Sequence, residues 1–247
     1  MSGHSKWKNI MHKKGKTDAQ RAKIFTKIGR EITMVVRDGG PDIASNSRLR
    51  DVIAKAKANN VPNDNIDRVI KKAAGDGDGS NYEEITYEGY GPAGVAIIVE
   101  TLTDNRNRTA GDLRHFFDKN NGNLGQMGSV SWMFAPKGII VLSLNEYDED
   151  KLVEDAIDAG AIDYNVEEDV FEIFTDSNDV AKIREILEDK NYTFLSSQTE
   201  MIPSTYIKLE NEDDIKYMSR LLEALEDNDD VQNVWHNWEN QAECEEE

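Results

Sequence analysis

Several stretches of this chain carry residue types that could do chemistry, and most of them fail on context. Gly89-Tyr90-Gly91-Pro92-Ala93-Gly94 has the glycine spacing of a dinucleotide-binding loop. Such a loop works by seating a pyrophosphate on the N-terminus of a helix that follows at once. Here a β-branched segment follows and Pro92 lacks a backbone N–H, so the string predicts a hairpin. Gly15-Lys16-Thr17 has the ending of a phosphate-binding P-loop, but Ile10 stands where the first glycine is required. The four histidines, His4, His12, His115 and His236, form no pair at ligand spacing, and Cys244 is the single cysteine. Neither a metal site nor a disulfide framework is expected from them. Carboxylates are plentiful, but they lie on solvated helix faces and in a tail, so no acidic pair stands out as an acid–base couple. The reading is of a protein without catalytic residues, cofactor or metal, and not an enzyme.

The informative chemistry is positive charge. Lys6, Lys8, Lys13, Lys14 and Lys16 surround Trp7, His4 and His12 in an arm with no helical apolar period. Residues 1–74 hold 17 Lys+Arg against 7 Asp+Glu, while the other 173 hold 12 against 41. The net charge of −19 therefore conceals a basic head on an acidic body. Lysine and arginine neutralise phosphates, and an indole can stack on a base or wedge into a groove. A ridge of Lys23, Lys27, Arg30 and Arg37, opposite an apolar helical stripe, extends the basic surface of the arm. Thr103 to Thr109, with Arg106 and Arg108, is a second candidate contact, although the same residues also suit an Asn/Asp turn capping a helix. The bland alternative for all of these is a solubilising surface.

The elements that must position these groups follow from periodicity. Thr17-Asp18-Ala19-Gln20 reads as a capping box, and Ile24, Phe25, Ile28, Ile32, Val35 and Val36 form a stripe about 120° wide at 100° per residue. Leu49 to Ala56 and Ile66 to Ala73 predict two more helices, broken at Val61-Pro62. The glycine-rich run 75–80 marks a linker. Beyond it, alternating Ile85 and Tyr87, the continuous apolar run Val95–Leu102, a helix near 106–120, and alternating Val130, Trp132 and Phe134 predict strand, strand, helix and strand. Strands at Ile139–Leu142, Ala161–Val166, Val170–Phe174 and Tyr192–Leu195, with two helices, give the βαββαβ order of a ferredoxin-like unit. One more βαβ follows, with strands at Tyr206–Leu209 and Val231–Trp238.

The expected fold is α+β and multidomain. An N-terminal three-helix domain (1–74, with the arm) precedes two ferredoxin-like α/β domains, the second (137–202) inserted in the first (82–136 plus 203–238). An acidic tail, 239–247, is expected to be disordered. No run approaches the roughly 18 apolar residues of a membrane helix, and no apolar segment follows the charged N-terminus as a secretory leader requires. A cytoplasmic location is expected.

Gly3-His4-Ser5-Lys6-Trp7, Lys23 to Lys27, Asn46 to Lys57, Pro62 to Ile66, Tyr87 to Pro92, Leu102 to Thr109 and Gly128 to Phe134 resemble, in order, the YebC/PmpR (TACO1-like) family. The resemblance covers almost the whole chain. It implies a cytoplasmic protein of three domains, described in some members as a DNA-binding transcriptional regulator. In others, including the mitochondrial branch, it implies a translation factor acting at the ribosome, notably on proline-rich nascent chains. The expected partner is thus nucleic acid: DNA, or ribosomal or transfer RNA in the alternative. A scaffold that binds proteins through the acidic domains is a third reading. No membrane or small-molecule substrate is expected.

Overall fold

The computed structural model describes residues 18–75, 81–167 and 170–241. Among the described residues three helices come first: α1 (Asp18–Gly39), α2 (Ser47–Ala58) and α3 (Asn63–Ala74). Ile28, Ile32, Val35 and Val36 of α1 are buried against Leu49, Ile53 and Ala56 of α2 and Ile66 of α3. Asn46 fixes the entry to α2, its side chain accepting from Leu49 N at 3.1 Å and donating to Val35 O at 2.8 Å.

The first sheet contains β1 (Glu83–Tyr90), β2 (Ala96–Thr103), β3 (Asn123–Leu124) and β8 (Val231–His236), in the order β3-β1-β2-β8. All its ladders are antiparallel. Between β2 and β3 lies α4 (Arg106–Lys119), and α7 (Glu212–Asp227) precedes β8. Every second residue of β2 serves one face of the sheet. Val95, Ile97 and Val99 pack with Leu113 and Phe117 of α4 and Met218, Leu221 and Leu225 of α7. Ala96 and Ile98 face the opposite way, onto Val130, Phe134, Met201 and Trp235.

The second sheet has β4 (Phe134–Ser143), β5 (Asp163–Glu167), β6 (Val170–Asp176) and β7 (Ser196–Pro203) in the order β5-β6-β4-β7, again antiparallel. Helices α5 (Glu149–Ala159) and α6 (Val180–Asp189) complete βαββαβ. Leu152, Ala156, Ile183 and Leu187 bury against Ile140, Leu142, Phe171 and Ile173. The first sheet also has four strands, but its central strand β1 enters at the front of the chain and its edge strand β8 at the back. The fold is therefore α+β and multidomain, with the second α/β unit inserted in the first.

Local expectations change in four places. Trp132 does not alternate along a strand: Ser131–Met133 is a 3₁₀ turn and β4 starts at Phe134. Tyr206–Leu209 is no strand, because its only ladder contact is the single bridge Ile207–Trp238. The final strand of the inserted unit is 196–203, later than Tyr192–Leu195; Tyr192 is buried in the α5–α6 core instead. The tail expected to be disordered begins packed. Asn240 and Gln241 are buried, and the Asn240 side chain bonds Leu209 N and O and Trp238 Nε1, each at 2.9 Å.

The glycines of Gly89–Gly94 form the expected hairpin between β1 and β2. A Cβ on Gly89 would lie 2.7 Å from Asn123 O and from the Phe117 ring. Close packing of α4 and β3 on the sheet, not phosphate binding, accounts for this glycine.

Candidate nucleic-acid interface

The basic residues expected to make the contact fall into three groups. Lys6, Trp7, Lys8, Lys13, Lys14 and Lys16 lie outside the described residues. Lys23, Lys27 and Arg30 are brought together by their helical spacing on α1, and they face the C-terminal end of α7. Lys23 Nζ is 2.8 Å from Asp227, Lys27 Nζ donates to Glu226 O at 2.7 Å, and Arg30 donates to Asp229 O at 2.8 Å. The last carbonyls of a helix lack intrahelical partners and carry its negative dipole end, so cations gather there. Burial pulls the Lys27 ammonium down to about 8, against the pull of Glu226 and Asp229. Arg37 lies further along α1 and donates to Asn81 Oδ1 and Tyr82 O at 3.0 and 3.1 Å. The ridge read from the sequence as outward is thus occupied by the protein's own acidic turn and linker.

Arg106 and Arg108, on the first turn of α4, diverge. Arg106 is exposed. The Asn105 side chain caps the helix by accepting from Arg108 N at 3.1 Å. The Arg108 guanidinium turns inward to Asp230 (Nη2 to Oδ2, 2.8 Å) and to Asp104 at 2.8 Å. Asp230 is the hub. It is 3% exposed and also accepts from Arg30 at 2.5 Å, Thr109 at 2.7 Å and Thr103 at 3.2 Å. Burial alone would raise its carboxyl. Hydrogen bonds from Arg108, Thr109 and Arg30 outweigh that and hold it below the ordinary carboxylate range. An open cleft of about 610 Å³ lies over this junction, bordered by Lys23, Arg30, Arg108, Asp112, Phe116 and Asp227.

Further exposed basic residues of the described head lie away from this junction. Lys57 on α2 and Arg68, Lys71 and Lys72 on α3 face outward. Arg50 and Asp51 of α2 pair instead with Glu185 and Arg184 of α6, at 3.7 and 2.8 Å, tying the head to the inserted unit.

Sequence reasoning missed the buried carboxylates, of which Asp230 and Glu88 organise the most structure. Nothing local marks Asp230, which sits in the acidic run Glu226–Asp230. Glu88 is 4% exposed on β1 and organises the loop 125–133. Its carboxylate accepts from the backbone N–H of Gly128, Val130 and Ser131 at 2.8, 2.7 and 2.8 Å. Burial would raise this carboxyl too, but the three backbone donors hold it below its usual value. A glutamate at an outward-alternating strand position gives no sign of this in sequence.

Among the described residues, no group of three or more His, Cys, Asp or Glu is placed to hold a metal ion, and no helix is long and apolar enough to cross a membrane. The arrangement is a basic helical head clamped onto a pair of α/β units. The chain belongs to the TACO1/YebC family. The family's N-terminal domain matches residues 5–76, and its second and third domains match 82–238. It is 60% identical, over the full length of both chains, to a protein of Ruminiclostridium cellulolyticum. It is 59% identical over 244 residues to one of Caldicellulosiruptor bescii, covering 98% of this chain and 100% of that one. Both relatives are named "Probable transcriptional regulatory protein". The crystal structure of a conserved hypothetical protein from Aquifex aeolicus superposes with a TM-score of 0.81 at 43% identity, covering 91% of this chain and 92% of that one. The chain is accordingly a regulator of gene expression by family.

Proposed function

We propose that this regulator works in the cytoplasm by binding nucleic acid, DNA in the first instance, through its basic N-terminal domain. The observation that carries the reading is the confinement of excess positive charge to residues 1–74 of an otherwise strongly acidic chain. Lys6, Trp7, Lys8, Lys13, Lys14 and Lys16 supply the arm, and exposed Lys57, Arg68 and Lys71 extend it over the helical domain. Lys23, Lys27 and Arg30 contribute to a lesser degree, because their charge is already partnered. Arg106 lies apart on α4 as an auxiliary contact.

Lysine-rich faces suit phosphates better than base edges, so sequence discrimination on DNA is weak. The same observation favours a second reading, a translation factor on ribosomal or transfer RNA that relieves stalling on proline-rich sequences. No enzymatic step, cofactor or membrane enters either one. Titration of duplex DNA against salt tests the proposal. Changing Lys13, Lys14 and Lys16 together to Glu should weaken binding and flatten the salt slope by about 0.9 for each phosphate no longer neutralised. Unaltered binding and slope would make the head a solubilising surface. A preferred operator bound about 10³-fold or more above random duplex would overturn weak discrimination. Equal affinity for unrelated duplexes together with co-sedimentation on ribosomes would favour the translation reading.

A further inference from the structure

The loop between β3 and β4 spends a buried charge on holding two apolar side chains in water. Trp132 is 74% exposed and Met127 is 85% exposed, the most open large apolar residues among those described. The backbone beneath them is fixed at both ends and in the middle. Gly125 N donates to Glu88 O at 2.8 Å, and the Glu88 carboxylate takes three further loop N–H groups. Tyr90 Oη donates to Ser129 O at 2.9 Å, and Ser204 N and Oγ donate to Met133 O at 2.8 and 3.0 Å. Trp132 Nε1 bonds Ser129 O at 3.1 Å, which anchors the polar edge of the indole while its ring remains open. A core role for Trp132 is excluded by its exposure, and a fixed, open indole is the geometry of a contact residue.

Charge selects the occupant. From Lys119 to Lys137 there is no Asp or Glu, the longest such interval in a body that otherwise carries 41 of them. Both flanking lysines are exposed. The loop therefore adds no carboxylate of its own to an otherwise acidic body, although Lys137 lies in register with Asp176 and Glu200. An open indole and an open thioether on one loop offer flat, polarizable surface to a π-face, and unpaired bases present that face while duplex bases are stacked away.

We infer that the 125–133 loop is a second nucleic-acid contact, on which Trp132 and Met127 stack an unpaired base of a single strand. This rests on the function proposed above, and it adds single-strand selectivity to the charge-driven contact of the head. Lys119 and Lys137, exposed at the two ends of this acid-free interval of sequence, are the cations offered to the phosphates of the bound strand.

The test uses the full-length chain, a short uridine-only RNA, the equivalent thymidine-only DNA, and a duplex of the same length, at physiological salt. Trp132→Ala should weaken both single strands roughly tenfold or more, Trp132→Phe should retain most of the binding, and the duplex should be unaffected. Loss on the RNA alone would identify RNA as the ligand, and equal loss on both strands would identify the base itself. Wild-type single-strand affinity in Trp132→Ala, or equal loss on single strand and duplex, would overturn the inference. So would a change in oligomeric state with binding intact, which would assign the loop to a second copy of the chain. If Trp132→Ala changes nothing while the Lys13/Lys14/Lys16 variant loses binding, the loop is excluded and the head retained. If the wild-type chain binds none of the three probes, both readings fall.

Discussion

Asp230 and Glu88 are both carboxylates almost closed to solvent, and both are held ionised below their ordinary range, yet they do opposite jobs. Asp230 is neutralised by guanidinium groups from α1 and α4, 200 and 122 residues away in sequence. Glu88 is neutralised by backbone N–H groups of a single loop 40 to 43 residues on. A buried charge compensated by distant side chains locks separate units together. The same charge compensated by neighbouring backbone shapes one surface. Each is the condition for the contact it supports: Asp230 fixes how the basic head sits on the body, and Glu88 fixes the presentation of Trp132.

The largest break in this comparison comes from removing the Asp230 side altogether. Ending the chain after residue 202 deletes α7 and β8, stripping Met218, Leu221, Leu225 and Val231 from the first core. The 82–136 segment should then lose cooperative unfolding, while replacing 137–202 by a short linker should leave a folded 82–136 plus 203–238 unit. Calorimetry of both variants checks this division. A truncated chain that still unfolds cooperatively throughout would contradict it.

Asp230→Ala comes next. It leaves Arg30, Arg108 and Thr109 facing one another without their acceptor, and breaking a buried pair in this way costs about 3–5 kcal/mol. Urea denaturation should show that loss, and a cycle with Arg30→Ala should show strong non-additivity. Glu88→Gln costs less, about 1–3 kcal/mol, because the amide oxygen still accepts from Val130 and Ser131 while the Gly128 N–H faces the amide nitrogen and all three donors lose a charged partner. Hydrogen exchange should rise at Gly128, Val130 and Ser131 and remain unchanged in α1, which separates the local role from the global one.

The pH dependence sharpens the same contrast. Glu88 and Asp230 are lowered from 4.5 and 3.8, so their contribution is complete above those values and is lost as pH falls through the folded ones. Acid should therefore loosen both regions. Lys27 acts in the same direction at the clamp but in an alkaline window, being lowered from 10.5 to about 8 by burial, against the pull of Glu226 and Asp229. Between those values the unfolded chain binds the extra proton, so the Lys27 contribution to stability falls as pH drops from 10.5 to about 8, and the burial penalty is fully present below that. Subtracting the pH profile of Lys27→Met from that of the wild type isolates this smallest effect; identical profiles would contradict it.

How much of this was legible in the sequence depends on whether the cause was local. Helices α1 to α3, the β1–β2 hairpin and the βαββαβ order rest on periodicity and turn chemistry, which neighbouring residues set. The misplaced elements are those where a distant partner decides. Trp132 alternates with Val130 and Phe134 like a strand residue, but Glu88 takes the backbone N–H groups of Val130 and Ser131 and turns the chain into a 3₁₀ bend. Tyr206–Leu209 has strand-like residues, but β8 runs along β2 and leaves it only the bridge at Ile207.

The sequence by itself determined the positive head, the acidic body, the apolar faces and the family, because composition and short-range pattern carry them. It also determined which residues of α1 share a face, since 3.6 residues per turn place Lys23, Lys27 and Arg30 together. Only the tertiary structure decided what that face meets. The terminal carbonyls and carboxylates at the end of α7 arrive there nearly 200 residues later, through the pairing of β8 with β2. A charge pattern states what a surface can attract; the path of the chain states whether the protein's own atoms reach it first.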